Sequence, residues 1–293
     1  MISEIREYGA QLRLILLVGI VAYLIYGLTD IGWTSVVSAL PTHPLFYVTS
    51  LLIFAVLPLV ERLVFRRLLP NEQAVPIGVF IRKRVLNEGV LSYSGEAYLL
   101  ERLRALSVAR DPAIAAIRDN AIVSALISNT VTIGLVLLLL LAGRPDTIME
   151  LYRAAPGAAI SFLVFAFIVY FIVIAMFRRI TRLCRGDFQS LAGLHSLKIL
   201  AVMSLQVTQW SVALPGEPMG TWLTFLTIYM LVRRLPFLPN VDLVFLGVGI
   251  SLSGFSIHGA EALSGMLLAS AVAMQLLHVV AFVLTRDNRP AMR

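Results

Sequence analysis

The hydrophobic positions of the chain form long continuous runs separated by short polar stretches, without the period-two alternation of barrel strands. A membrane-spanning helix needs roughly 17–25 mostly apolar residues. Runs of about that length lie near 10–29, 45–61, 121–142, 157–177, 197–215 and 260–285, and two shorter apolar pieces lie at 219–232 and 241–257. Continuous runs favour helices over a barrel. We therefore predict an all-α fold, a polytopic transmembrane helical bundle.

Composition supports this class. Hydrophobic residues make up 59% of the chain, charged residues 14%, and the mean hydropathy is +0.87. Soluble domains carry about 25% charged residues. We therefore expect one integral membrane domain over 1–293. The single cysteine, Cys184, excludes an internal disulfide.

The distribution of Lys and Arg predicts the orientation. Ten of them lie in 61–118, five in 178–198 and three in 286–293, whereas 30–44 has none. Basic loops stay in the cytoplasm. About eight crossings satisfy this bias, with the N- and C-termini cytoplasmic, in the plasma membrane (the inner membrane of a bacterium). The net charge of +7 follows from the same rule and does not indicate nucleic-acid binding.

The segment 76–100 interrupts the pattern, because it carries charges and both of its ends lie on the cytoplasmic side. Charges that face lipid cost several kcal/mol each, so it cannot be an ordinary span. Two placements remain open. The segment lies flat at the interface as an amphipathic helix, or it is re-entrant and dips into the bilayer, shielded by other helices.

A second interruption occurs at 233–255, where Pro236 and Pro239 end a helix. Asn240 and Asp242 then begin a short helix, either as caps or as part of an anion site beside the preceding arginines. Broken helices in corresponding halves often mark a transport site. The two interruptions would then belong to an inverted pseudo-repeat.

The candidate chemistry lies in these two interruptions. A buried carboxylate, such as Glu88 or Glu96 in a re-entrant segment, must find a cation. Arginine suits phosphate oxygens, since it offers paired donors. The predicted substrate-binding residues are Arg82, Arg84, Asn87, Glu88, Gly95, Glu96, Arg102, Arg233, Arg234, Pro239, Asn240 and Asp242.

The rest of the chain shows no nucleophile triad, metal-spaced histidine cluster or phosphate loop, so we expect no enzyme activity, no cofactor and no metal. His278 and Gln275 lie on one face of the last run, where interhelical hydrogen bonding is the commoner role.

The run "ERLVFRRLLPNEQAVPIGVFIRKRVLNEGVLSYSGEAYLLERL" resembles an early signature of the lysylphosphatidylglycerol synthase transmembrane (flippase-like) family, through Arg66, Arg67, Asn87, Gly95 and Glu96. The later "RRLPFLPNVDLVFLGVGISL" is similar to its second signature, through Leu235, Pro236 and Pro239. The first motif lacks its following basic residue and the second lacks its glycine pair. The resemblance covers only the family's membrane part, without the aminoacyltransferase domain.

The resemblance implies a flippase-like carrier that handles the headgroup of a phospholipid or a polyprenyl-linked lipid. Its partners would be membrane lipids, with no nucleic acid. Two alternatives stay open: a membrane subunit of a lipid-modifying enzyme, which would need a soluble transferase partner, and a small-solute transporter.

Overall fold

The computed structural model describes residues 18–19, 21–22, 24–70, 75–89, 93–142, 157–181, 183–234, 241–251 and 256–285. The regular elements in these ranges are all helices. We number them α1 (Trp33–Ser38), α2 (Pro44–Leu68), α3 (Ile77–Gly89), α4 (Ser94–Ala105), α5 (Arg110–Leu141), α6 (Gly157–Ile180), α7 (Arg185–Ala213), α8 (Met219–Val232), α9 (Val241–Ser251) and α10 (Gly259–Leu284). The described residues between 18 and 31 are also helical.

Four helices of the described part, α2, α5, α7 and α10, are long and apolar enough to cross a membrane, which indicates a membrane protein. The apolar helices α8 and α9 have only 14 and 11 residues. At 1.5 Å per residue, α9 is about 16 Å long, roughly half of a bilayer's hydrocarbon thickness. Two of the long helices begin well before their apolar runs, α5 at Arg110 and α7 at Arg185. Their charged first turns extend the helix beyond the hydrophobic stretch.

Helices α2 and α7 pack side by side and antiparallel. Near one end, Gln209 donates to the Phe46 carbonyl at 3.2 Å and to Ser50 Oγ at 2.5 Å. Near the other end, Arg67 Nε lies 3.7 Å from Asp187 Oδ1. Helix α2 begins at a proline, whose missing N–H is not needed in the first turn.

The hydrophobic core beside this pair is aromatic and joins α7, α8 and α9. Trp210 stacks on Phe245 with ring centroids 5.8 Å apart, and Trp222 packs 5.7 Å from Trp210. All three rings are buried. The two short helices α8 and α9 are therefore fixed to the long helix α7 by ring packing.

Helix α10 crosses close to the end of α1 because it has a glycine at the crossing. A Cβ on Gly265 would lie 2.8 Å from the Ala39 carbonyl oxygen, which is too close for any side chain. Small residues permit such backbone approach between membrane helices.

The charged segment forms an antiparallel helical hairpin of α3 and α4. Ser94 Oγ donates to the Leu86 carbonyl at 2.9 Å, and Arg82 lies over the ring of Tyr98 at 5.8 Å. Tyr93 precedes α4 with φ of 70°, an uncommon left-handed conformation for a residue with a side chain. The hairpin packs along α2 and contacts it between Phe54 and Glu61.

Candidate functional site

A buried lysine is shared by two carboxylates where α3 meets α2 and α4. Lys83 Nζ lies 2.5 Å from Glu61 Oε1 and 3.2 Å from Glu96 Oε1. The lysine side chain is only 4% exposed, whereas the two carboxylates are 20% and 24% exposed. Removing a charge from water costs several kcal/mol unless it is paired, and here two anions face one cation. This ion triad joins the two helices of the hairpin to α2.

The glycine and the asparagine of the first signature fix the hairpin itself. Asn87 Oδ1 accepts from the Gly95 N–H at 2.7 Å, and Asn87 Nδ2 donates to Glu96 Oε1 at 3.2 Å. A Cβ on Gly95 would overlap the Lys83 carbonyl oxygen and lie 2.7 Å from Asn87 Oδ1. The sequence predicted Asn87, Gly95 and Glu96 as substrate-binding residues, and the structure brings these three residues together within the hairpin.

Arg84 anchors the hairpin in the middle of α2, at a carbonyl that a proline leaves free. Pro58 has no N–H, so the carbonyl of Phe54 four residues earlier loses its usual helical partner. Arg84 Nη1 donates to that carbonyl at 2.6 Å and to the Ile53 carbonyl at 3.2 Å. Its guanidinium also lies 4.6 Å from the centre of the Phe54 ring.

Arg84 also fixes Glu88, which connects α3 to α10. Arg84 Nε donates to Glu88 Oε1 at 3.1 Å. On the other side, His278 Nε2 lies 2.7 Å from Glu88 Oε2. Arg84 and His278 are 7% and 6% exposed, whereas Glu88 remains 30% exposed. The Glu88 carboxylate therefore has two buried partners and one accessible face.

The second interruption contributes a tyrosine, an acid and an arginine near this face. Tyr229 donates to Asp242 Oδ1 at 3.2 Å and accepts from Arg233 Nη1 at 2.9 Å. Arg233 also lies over the ring of Tyr229, at 5.4 Å. Arg233 is exposed, and in the described part of the chain no ion pair joins it to Glu88. Its side-chain contacts lie within the second interruption, on Tyr229.

A cavity opens beside Asp242, with about 400 Å³ of empty space that includes its open side. Its polar walls come from α7, α8, α9 and α10, and its apolar walls from the aromatic core. The lining residues are Gln206, Gln209, Trp210, Tyr229, Asp242, Phe245, Leu267, Ser270, Ala271 and Met274. The indole N–H of Trp210 is buried without a hydrogen-bond acceptor. The cavity thus combines acceptors, donors and rings, as small-molecule sites do.

A further buried polar group connects α5 and α7. Lys198 Nζ donates to His195 Nδ1 at 3.0 Å, and His195 Nε2 donates to Asn120 Oδ1 at 3.1 Å. An ammonium group can only donate, so His195 is the neutral tautomer with its proton on Nε2.

The described residues among the remaining predicted ones have other surroundings. Arg82 donates to the Thr285 carbonyl at 2.7 Å, where it meets the negative end of α10. Arg102 lies in the last turn of α4. Arg234 lines a separate cavity with Asn129 and Tyr170, between α5, α6 and α8. Pro239 and Asn240 lie outside the described residues, as do Leu235 and Pro236.

The expected contact between Glu96 and the arginines after α8 does not form. Among the described residues no ion pair joins Glu96 to Arg233 or Arg234, because Lys83 lies nearer and takes that carboxylate. Glu88 lies further along α3 than Lys83, and its contacts are Arg84 on the same helix and His278 on α10.

Comparison of the chain with models of known protein families, with curated proteins and with solved structures found no match. The geometry alone therefore carries the functional argument. The described residues contain no group of three or more His, Cys, Asp or Glu side chains placed to hold a metal ion.

Sequence reasoning missed several members of the site: Glu61, Lys83, His195, Lys198 and Tyr229. Lys83 and Lys198 were in principle detectable, since each is a cation close to an apolar run. His278 was assigned an interhelical role, and its contact with Glu88 on α3 agrees. Tyr229 carried no sequence signal, because a tyrosine near the end of a membrane helix is ordinary.

Proposed function

We propose that this chain is a flippase-like carrier that moves a lipid headgroup through a polar crevice while the lipid tails remain in the bilayer. The crevice is formed by Glu88 on the hairpin, Arg233 after α8 and Asp242 on α9. The lipid would be a phospholipid or a polyprenyl-linked lipid. The resemblance of both interruptions to the lysylphosphatidylglycerol synthase transmembrane family points in the same direction.

One observation carries the proposal. Arg233 is an exposed guanidinium that Tyr229 joins to Asp242, and the Glu88 carboxylate keeps an accessible face. Large hydrophobic side chains cover the outer faces of α5 and α10, for example Leu141 at 85% and Leu284 at 79% exposed. A charged crevice beside apolar helix faces suits a molecule with a charged head and apolar tails. The arginine offers paired donors to a phosphate, and the carboxylates suit an amine or hydroxyl.

The topology belongs to the same proposal. We infer about eight crossings with both termini in the cytoplasm of a bacterial inner membrane, and an inverted pseudo-repeat that relates the hairpin to the break between α8 and α9. The re-entrant hairpin would then enter from the cytoplasmic side, with Glu88 near the middle of the bilayer.

The test is lipid movement in reconstituted vesicles. Purified protein in phosphatidylethanolamine–phosphatidylglycerol vesicles should speed the exchange of fluorescent phosphatidylglycerol or phosphatidylethanolamine between leaflets, compared with protein-free vesicles. A charged hydrogen bond contributes about 1.5–3 kcal/mol. Arg233→Ala and Glu88→Gln should each slow the exchange at least tenfold.

The matched control is Arg67→Ala, since Arg67 is 58% exposed and pairs only loosely with Asp187. It should leave exchange unchanged. The carrier proposal is refuted if every lipid tested exchanges at the same rate as in protein-free vesicles. It is also refuted if Arg233→Ala and Arg67→Ala give equal exchange rates.

The cavity beside Asp242 favours a second candidate, a carrier of a small polar solute. Gln206 and Ser270 add neutral polar groups to this cavity beside the Asp242 carboxylate. This candidate is selected over the lipid carrier if the same vesicles take up a radiolabelled amino acid, if Asp242→Asn abolishes that uptake, and if the protein does not speed lipid exchange between leaflets.

A further inference from the structure

Arg234 and its neighbour Arg233 point to different parts of the molecule. The backbone N–H of Arg234 donates to the Leu231 carbonyl at 2.9 Å, so Arg234 closes the last turn of α8. Consecutive residues of a helical turn point about 100° apart. Arg233 therefore reaches Tyr229, whereas Arg234 lines a groove between α5, α6 and α8.

Arg234 is half-buried in this groove without a counter-ion. Its Nε is buried and has no hydrogen-bond acceptor, and no described residue forms an ion pair with its guanidinium. The other groove residues are Asn129, Thr132, Ile133, Phe167, Tyr170 and Leu231, none of which is acidic. Withdrawing a charge from water is costly unless an opposite charge offsets it. The groove therefore favours an anion that comes from outside the chain.

The hydroxyl groups of the groove already have acceptors. Thr132 donates its hydrogen to a carbonyl one turn earlier in α5, at 2.8 Å. The Tyr170 hydroxyl lies 2.8 Å from Thr130 Oγ1, and Thr130 gives its own hydrogen to another carbonyl of α5, so Tyr170 is the donor in that contact. The Asn129 amide and the Arg234 guanidinium remain as donors for an anion.

Apolar helix faces flank the groove. Ile168 and Phe171 follow two of the lining residues in α6 and are 53% and 63% exposed. Leu137 and Leu138, further along α5, are 52% and 49% exposed. Exposed apolar surface of this kind suits acyl chains. An anion with apolar tails therefore fits the groove better than a free inorganic anion does.

We propose that the groove between α5, α6 and α8 binds the phosphate of an anionic membrane lipid, with Arg234 as its counter-ion and Asn129 as a second donor. The guanidinium offers paired donors to phosphate oxygens. A phosphatidylglycerol headgroup carries one negative charge and balances Arg234. Phosphatidylethanolamine adds an ammonium group, for which the groove has no carboxylate.

This lipid stays bound and is not the one that is moved. The groove shares no residue with the crevice of Glu88, Arg233 and Asp242, so the inference does not depend on the proposed carrier activity. A lipid in the groove contacts α5, α6 and α8 together. Because it binds only the folded protein, it stabilises that state by mass action.

The site is tested by lipid binding to the full-length protein in dodecylmaltoside, measured by native mass spectrometry. Phosphatidylglycerol and phosphatidylethanolamine with the same acyl chains are the probes. Wild type should bind one phosphatidylglycerol tightly and phosphatidylethanolamine at least about tenfold more weakly. Equal affinity for the two lipids would overturn the charge argument and with it the proposal.

Variants assign the bound lipid to the groove. Arg234→Met keeps the length of the side chain and should weaken phosphatidylglycerol binding at least about tenfold. Arg234→Lys keeps the charge without the paired donors and should give an intermediate affinity. Asn129→Leu should weaken binding severalfold. Unchanged affinity in Arg234→Met, or in Asn129→Leu if Arg234→Met does not fold, would overturn the site.

Two controls separate this site from other sources of binding. Arg233→Ala should retain the tight phosphatidylglycerol, and its loss in that variant would assign the lipid to the crevice and overturn the groove. Inorganic phosphate in large excess should not displace the lipid, since it cannot use the apolar faces. Displacement would show a site for free anions. Phosphatidylglycerol should also raise the unfolding temperature of wild type but not of Arg234→Met, and an equal rise in both would contradict the proposal.

Discussion

Replacing Lys83 by methionine should destabilise the protein more than any loss of a surface charge. The lysine side chain is 4% exposed and contacts Glu61 and Glu96 at 2.5 and 3.2 Å. Methionine has a similar length, so the space remains filled while the charge disappears. The two carboxylates then face each other at the base of the hairpin without a cation.

The structure sets the expected magnitude. Removing one partner of a buried ion pair costs about 3–5 kcal/mol, because the other charge is left uncompensated. The carboxylates retain 20% and 24% exposure and Asn87 still donates to Glu96, so the lower end applies, about 3 kcal/mol. The contrasting control is Arg67→Met. Its exposed pair with Asp187 at 3.7 Å should contribute no more than about 1 kcal/mol.

The assay is reversible unfolding of the purified protein in mixed micelles of dodecylmaltoside and sodium dodecyl sulfate, followed by tryptophan fluorescence. A third variant, Lys83→Met with Glu61→Gln and Glu96→Gln, removes all three charges and should recover most of the lost free energy of unfolding. The reasoning is refuted if Lys83→Met lowers the free energy of unfolding no more than Arg67→Met does. It is also refuted if the triple variant is no more stable than Lys83→Met.

Two further perturbations test the hairpin and the second interruption. Gly95→Ala should destabilise the protein by about 1–3 kcal/mol through overpacking, whereas Gly134→Ala, whose added Cβ meets nothing within 4 Å, should be neutral or slightly stabilising in the same unfolding assay. Equal effects would show that α3 and α4 are not in close contact. Tyr229→Phe removes the hydroxyl that bridges Arg233 and Asp242, and should cost about 1 kcal/mol of stability and slow lipid exchange. Unaltered exchange would remove the bridge from the proposed site.

Two features could be predicted from the sequence: that the protein is a membrane protein, and that the charged segment 76–100 does not form an ordinary span. Both follow because charged side chains are costly where they face lipid. Hydrophobic runs require helices, and a charged stretch with basic ends on one side must return to that side. The packing of α3 and α4 along α2 is the physical consequence. The boundaries were less predictable, because the charged turns at Arg110 and Arg185 are helical without being apolar.

The partners within the site could not be predicted, because several cations competed for each carboxylate. Glu96 had arginines before and after it in sequence, yet the nearest cation in space is Lys83, placed by the close contact of Gly95 with α3. Which face of α3 points to α10 depends on the helix rotation. No pattern in a single sequence specifies that rotation when both faces carry charge.

The proline in α2 has a consequence for how the protein is made. Helix α2 precedes the hairpin in the chain, so during synthesis it would enter the bilayer before Arg84. The Phe54 carbonyl would then lack a hydrogen bond, because Pro58 has no N–H. An unsatisfied carbonyl in hydrocarbon costs several kcal/mol. The carbonyl gains a donor when Arg84 of the hairpin docks on α2. Docking in another register would leave the Phe54 carbonyl without a hydrogen bond, so this one contact selects the observed register of the hairpin on α2.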